Sequence, residues 1–207
     1  MKEKSDVSVM LKEAGILFAI TLFAGLLLGV VYELTKDPIR IQQEKAVQEA
    51  CKAVFGSAES FQMLEYTPDA ALAEELSGSG VKIGSVYEAL GGDGSLLGYV
   101  LESTSTQGYS GNIVLYLGVA RDGTLNDISI LEISETPGLG MLAPDLLVPQ
   151  FHDRHVESFV YTKTGAAAEN EIDAISGATK TTRAITNAVN GGLKVAQDLL
   201  KGGDGNE

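Results

Sequence analysis

Asp173-Ala174-Ile175-Ser176-Gly177-Ala178-Thr179-Lys180-Thr181-Thr182 is short, hydroxyl-rich and flexible, and it runs straight into an amphipathic pattern. Ala184, Ile185, Ala188, Val189, Leu193, Ala196, Leu199 and Leu200 recur at steps of three and four, which puts them on one face of a helix. The hydroxyls of Ser176, Thr179, Thr181 and Thr182 therefore crowd the first turn. A helix start offers unpaired N–H groups and the positive end of the macrodipole, so it can hold a phosphate. Gly177 lets the backbone approach a bulky group. The stretch suggests a phosphate beside a reactive hydroxyl. By composition alone it reads as an ordinary N-cap, since Ser, Thr and Asp commonly precede helices.

The chain of 207 residues has room for one sizeable domain and something small. Its formal net charge of -13 excludes a nucleic-acid partner, because phosphate backbones demand a basic surface. One cysteine, Cys51, rules out an intrachain disulfide and a cysteine-ligated metal centre. Two histidines, His152 and His155, offer no third ligand, so a solvated polar turn is expected there and no metal site.

Many of the apolar residues sit in one run. Residues 14–32 carry no charge and pass through Ile16, Leu17, Phe18, Ile20, Leu22, Phe23, Leu26, Leu27, Leu28, Val30 and Val31. As a helix the run is about 28 Å long, enough to cross a bilayer core. It is long for a signal-peptide core, and no small-residue cleavage site follows, so an uncleaved anchor is expected. Lysines and arginines flank both ends, and charge alone leaves the orientation open. Asp37-Pro38 then predicts the start of a new helix rising from the membrane.

Residues 61–66 predict a short extended piece and 68–76 a short acidic helix, closed by Ser77-Gly78-Ser79-Gly80. The middle of the chain alternates as strands do. Residues 81–90 and 96–102 flank Gly91-Gly92-Asp93-Gly94; residues 113–120 and 125–133 flank Arg121-Asp122-Gly123. Both read as antiparallel hairpins. A tyrosine loop, Gln107-Gly108-Tyr109-Ser110-Gly111-Asn112, lies between them. After the second comes Ser134-Glu135-Thr136-Pro137-Gly138-Leu139-Gly140, a tight turn with exposed amides. Residues 143–151 predict a short helix, and 161–170 a polar linker strand or loop leading to Asp173.

Three of these segments together resemble a known family. Asp173 ahead of Ser176-Gly177-Ala178-Thr179 resembles the flavinylation motif of the FMN-binding domain family. Glu135-Thr136-Pro137-Gly138-Leu139-Gly140 resembles its second signature, and Gly108-Tyr109-x-Gly111 a third. They stand in the family's order, behind a single anchor. The family includes the G subunit of the Rnf electron-transport complex and the C subunit of the sodium-pumping NADH:quinone reductase. The resemblance covers residues 80–200 by motif.

The resemblance implies FMN joined through its phosphate to Thr179, installed by a separate flavin transferase. Of the competing hydroxyls, only the family motif selects Thr179. It implies contacts from Ser176, Gly177, Ala178, Asp173, Lys180 and Thr182 at the attachment turn. It implies further contacts from Glu135, Thr136, Gly138, Leu139, Gly140 and Tyr109 along the flavin. Asp173 is expected to position the motif, capping the turn. Lys180 and Arg183 either neutralise the phosphate or form a solvated face. With no Gly-x-Gly-x-x-Gly fingerprint and no iron–sulfur cysteine set, the chain is expected to relay electrons and to hold no catalytic residue of its own.

The expected architecture is α+β. Residues 1–13 form a cytoplasmic N-terminus, 14–34 a transmembrane anchor, 35–80 a membrane-proximal helical segment, 81–201 an extracytoplasmic FMN-binding domain of antiparallel hairpins packed with helices, and 202–207 a disordered tail. The implied function is that of a covalent-FMN electron carrier in an Rnf-type ferredoxin:NAD oxidoreductase coupled to sodium or proton movement, with the other membrane subunits as partners. The alternatives are a C-type subunit of the quinone reductase, a flavin-free tethered binding module and a self-contained flavin reductase.

Overall fold

In a computed structural model of the protein, residues 3–203 are described, with side chains from 8 to 202. Residues 1, 2 and 204–207, parts of the expected N-terminus and tail, lie outside them. The chain divides into two compact units, residues 1–46 and 47–207.

Helix α1 runs Glu3–Val54 without interruption. Within it, an apolar window of mean hydropathy 2.5 is long enough to cross a membrane and is exposed throughout. The helix start expected at Asp37-Pro38 is not there; Pro38 lies inside α1. The signal was misleading for a physical reason. Proline removes one N–H and disfavours helix just before it, but helix formers on both sides carry the turn across one lost bond. Ion pairs surround it: Glu33 with Lys36, and Arg40 with Glu44 at 3.0 Å.

The second unit is built on a five-stranded antiparallel meander. Its strands are β1 Ser60–Leu64, β2 Val81–Leu90, β3 Leu96–Ser105, β4 Ile113–Ala120 and β5 Leu125–Glu132, in spatial order β1-β2-β3-β4-β5. Both expected hairpins form, with Gly94 and Gly123 at positive φ in their turns. The short helix α2 (Ala70–Gly78) sits between β1 and β2 and is capped by the Asp69 carboxylate, which accepts from Leu72 N–H at 2.7 Å. A second helix, α3 (Ala143–Leu146), lies between two single 3-10 turns. The strands β6 (Val160–Thr162) and β7 (Glu171–Asp173) pair in parallel. The long helix α4 runs Thr179–Gly203.

Side-chain alternation along β4 sorts the two faces of the sheet. Ile113, Leu115, Leu117 and Val119 point to the face covered by α4, where they meet Ile185, Ala188, Val189, Leu193 and Ala196. The helix comes very close: a Cβ on Gly192 would lie 2.4 Å from Leu117 Cδ2. Tyr116 points to the opposite face. There it packs with Ala89 and Val100 against Ala50, Cys51 and Val54, the last turns of α1, and against Phe55 and Ala58. Residues 47–80, expected to belong to a membrane-proximal segment, thus contribute one core and one edge strand to this unit.

Two polar anchors fix α4 further. The Asn190 side chain accepts from Phe159 N–H at 2.7 Å and donates to its carbonyl at 2.9 Å, which ties the approach to β6 onto the helix. The Tyr66 hydroxyl donates to Asp198 at 2.7 Å, tying the chain after β1 to the helix's second half.

Candidate functional site

The loop between β3 and β4, the turn after β5 and the start of α4 are separate in sequence and meet at one end of the sheet. Glu135 joins them. Its side chain is 6% exposed. Oε1 accepts from Tyr109 N–H at 2.7 Å and from Ser110 N–H at 3.3 Å; Oε2 accepts from the Thr181 hydroxyl at 2.9 Å. One buried carboxylate therefore has donors from both other segments. This is the arrangement that makes burying a charge tolerable.

Around this joint is a cavity of about 280 Å³, lined by Tyr109, Glu135, Thr136, Leu139, Gly140, Gly177, Ala178, Lys180 and Thr181. The turn after β5 is pinned by Leu139 N–H and Met141 N–H, which both donate to the Thr136 carbonyl. Gly140 must lack a side chain: a Cβ there would stand 2.6 Å from both Glu135 Cβ and Thr181 Oγ1. Gly177 turns the chain into α4 at φ +78°, a conformation that other residues adopt only under strain. Lys180 extends its ammonium over the Tyr109 ring, 5.7 Å from the centroid. The cavity thus has an aromatic and an aliphatic wall, a cation at its rim and a helix start beside it.

The hydroxyls expected to compete at this turn are not equivalent. Thr182 is fully buried; its Oγ1 donates to the Ala178 carbonyl at 3.1 Å and accepts from Ile175 N–H at 3.1 Å. Thr181 is 2% exposed and committed to Glu135. Thr179 is half-buried, opens α4, and has no side-chain hydrogen-bond partner among the described residues. Ser176 is exposed and lies before the helix.

The remaining expectations can be placed one by one. Tyr109, Glu135, Thr136, Leu139, Gly140, Gly177, Ala178 and Lys180 converge on the cavity. Gly138 shapes the turn behind it, at φ +75°. Ser176, Thr179 and Thr182 flank it on the α4 side. Asp173 does not cap the turn into α4. It ends β7, and its Oδ1 accepts from Ala166 N–H at 2.7 Å, so it closes the loop between β6 and β7 instead. Gln150 holds its backbone from the other side, accepting from Asp173 N–H at 2.6 Å. Arg183 is exposed. His152 faces Asp127 at 3.1 Å from a turn, and His155 faces Thr124 at 3.2 Å.

Two contributors were missed from sequence: Thr181, as the cavity-lining partner of Glu135, and Gln150, which seats the strand before the turn into α4. A threonine two positions past the motif carried a weak signal. Gln150 carried none, because its partner lies 23 residues away.

Comparisons with known proteins agree with this geometry. The FMN-binding domain family matches residues 108–194, which span all three converging segments. The RnfG N-terminal region matches residues 1–54, which include all of α1. By these two matches the chain is similar to proteins of the FMN-binding domain family that carry an RnfG-type N-terminal region. Along nearly its whole length it is similar to G subunits of ion-translocating complexes. It is 29% identical over 204 residues to the G subunit of the Na(+)-translocating ferredoxin:NAD(+) oxidoreductase complex of Acetobacterium woodii, covering 97% of this chain and 98% of that one. It is 27% identical to the G subunit of the ion-translocating oxidoreductase complex of Methanosarcina acetivorans, covering 89% and 93%. It is 29% identical to the G subunit of the proton-translocating ferredoxin:NAD(+) oxidoreductase complex of Clostridium ljungdahlii, covering 86% and 90%. Among solved structures, NqrC of Shewanella oneidensis aligns with a TM-score of 0.47 at 22% identity, over 57% of this chain and 61% of that one. With one long apolar helix among the described residues, in a region that matches the RnfG N-terminal model, the chain is a single-pass membrane protein.

Proposed function

We propose that this chain is the electron-carrying G-type subunit of an Rnf-type ferredoxin:NAD oxidoreductase coupled to ion translocation, holding FMN covalently through the Thr179 hydroxyl. The observation that carries the reading is convergence. Three sequence segments with the family's motifs meet on one cavity, joined by Glu135, beside a threonine hydroxyl that no other group among the described residues engages.

The residues present fit the cofactor. Tyr109 and Leu139 line the cavity beside Gly140 and Gly177 and offer apolar surface to a flat aromatic ring. The helix start and Lys180 suit an anionic phosphodiester. FMN supplies the electron transfer when bound; the protein places it and sets its surroundings. Thr179 presents its oxygen at the start of α4. Thr181 and Thr182 cannot substitute, because each is buried and already hydrogen-bonded. A separate flavin transferase attaches the group, and the FMN domain stands on the extracytoplasmic side of the membrane.

The test uses the chain assembled with its partner subunits in membranes. Reduced ferredoxin should bleach a flavin absorbance that the Thr179→Val complex lacks. Externally added protease should degrade residues 47–207 in sealed right-side-out vesicles. A parent complex with the same ferredoxin-dependent signals as the Thr179→Val complex would remove the carrier role. Protection of the domain would reverse its side.

A further inference from the structure

Between residues 47 and 203 the large exposed hydrophobics are Met63, Tyr109, Leu139, Met141, Leu142, Leu146 and Val160. Five of these seven lie on or beside the lip of the cavity: Tyr109 and Leu139 line it, and Met141, Leu142 and Leu146 follow directly along the chain. Leu142 N–H donates to the Leu139 carbonyl at 3.0 Å, one 3-10 turn on, and Leu146 follows four residues later at the end of α3. Steps of three and four on consecutive helical turns place Leu139, Leu142 and Leu146 along one stripe. The stripe begins at the cavity and leads away from it. Leu142 and Leu146 lie outside the residues that line the cavity.

An exposed apolar cluster of this kind marks a contact surface. Its chemistry selects the kind of contact. Interfacial membrane binding needs Lys or Arg around the apolar face. None occurs between Arg121 and Arg154; the cation at the cavity rim, Lys180, lies over the Tyr109 ring, while Asp145 sits within the stripe and the chain carries a net charge of -13. An anionic lipid surface is therefore disfavoured, and a protein surface favoured.

We propose that Leu142 and Leu146, continuing from Leu139, form the docking face for an apolar surface of a neighbouring subunit, which seats its redox group against the mouth of the cavity. The identity of that neighbour as a subunit of the same complex rests on the function proposed above. A contact that starts at the lip of the cofactor cavity and excludes water brings donor and acceptor close.

Two measurements test it. In the first, Leu142→Glu/Leu146→Glu is expressed with the other subunits and the transferase. The variant should keep the parent's melting temperature and its flavin label in a denaturing gel, yet lose the other subunits on purification. Retained subunits with an unchanged rate of flavin reduction by the complex would overturn the proposal. A parent without flavin label would count against the carrier function alone, since co-purification still reads the docking. In the second, Leu146→Cys is labelled with a maleimide in lipid nanodiscs, as the chain alone and within the complex. Cys51 is 1% exposed, with its thiol pushed up to about 11 by burial, so it stays silent. Labelling should be fast for the chain alone and at least tenfold slower in the complex. Slow labelling of the chain alone would mean that lipid or a second copy covers the stripe, and equal labelling in both states that nothing does; either result overturns the proposal.

Discussion

The Thr181 hydroxyl donates a 2.9 Å hydrogen bond to Oε2 of Glu135, across 46 residues of sequence. Through the other oxygen of the same carboxylate, the Tyr109 loop is held as well. The shape of the cavity therefore depends on one side chain that is itself buried.

Replacing that side chain should separate its shape from its charge. Glu135→Ala leaves two backbone N–H groups and a hydroxyl without their acceptor, at a cost of roughly 1–3 kcal/mol for each buried group so stranded. Glu135→Gln keeps the Oε1 acceptor for Tyr109 and Ser110. Urea unfolding should show the alanine variant less stable by about 3 kcal/mol or more and the glutamine variant by about half that or less. Equal losses would mean that Glu135 does not join the segments as described.

Gly140→Ala adds a methyl group where Glu135 Cβ and Thr181 Oγ1 would both stand at 2.6 Å. Neither neighbour is a free side-chain end, so the turn must move. The expected cost is about 1–3 kcal/mol, as for other overpacked sites, with reduced flavin loading. A variant as stable and as well loaded as the parent would contradict the close approach.

The core beneath the sheet predicts where the chain can be cut. Ala50, Cys51, Val54, Phe55 and Ala58 bury Ala89, Val100 and Tyr116. A chain beginning at residue 47 should be soluble and give dispersed amide resonances. One beginning at residue 81 loses this layer and β1 together. Large apolar side chains contribute about 1.5–3 kcal/mol each, so the loss rivals the whole stability of a domain. A well-dispersed spectrum from the shorter chain would show that residues 47–80 are not part of the core.

Alkaline conditions should weaken the fold through Cys51. Burial raises its thiol from 9.0 to about 11, so the folded state holds the proton more tightly than the unfolded chain. The associated stability is complete below pH 9 and is lost as pH rises towards 11. Tyr116, pushed up by the same burial and by the neighbouring Glu102 carboxylate, adds to the trend. Melting temperatures from pH 8 to pH 11 should fall in the parent and fall less steeply in Cys51→Ala. Parallel slopes would assign the alkaline loss to other groups.

Much of the fold was legible because its signals are local. The three- and four-residue spacing from Ala184 to Leu200 marked α4, and alternation with Asp-Gly and Gly-rich turns marked the hairpins. Pro38 misled because a local breaker was outweighed by the helix on both sides. The three segments that line the candidate site were legible as motifs, while their meeting was not. The Glu135–Thr181 and Gln150–Asp173 contacts join distant segments, and no periodicity reports such pairs. Asp173 was misjudged for the same reason: its partner, Ala166 N–H, faces it only once β6 and β7 have paired.

The most direct test of the central claim is in-gel flavin fluorescence of the denatured full-length chain, co-expressed with an active flavin transferase, beside Thr179→Val, Thr181→Val and Ser176→Ala. Fluorescence should survive denaturation in the parent, in Ser176→Ala and in Thr181→Val, and vanish only in Thr179→Val. Fluorescence retained in Thr179→Val, or absent from the parent while a control substrate is labelled, would contradict covalent attachment at Thr179.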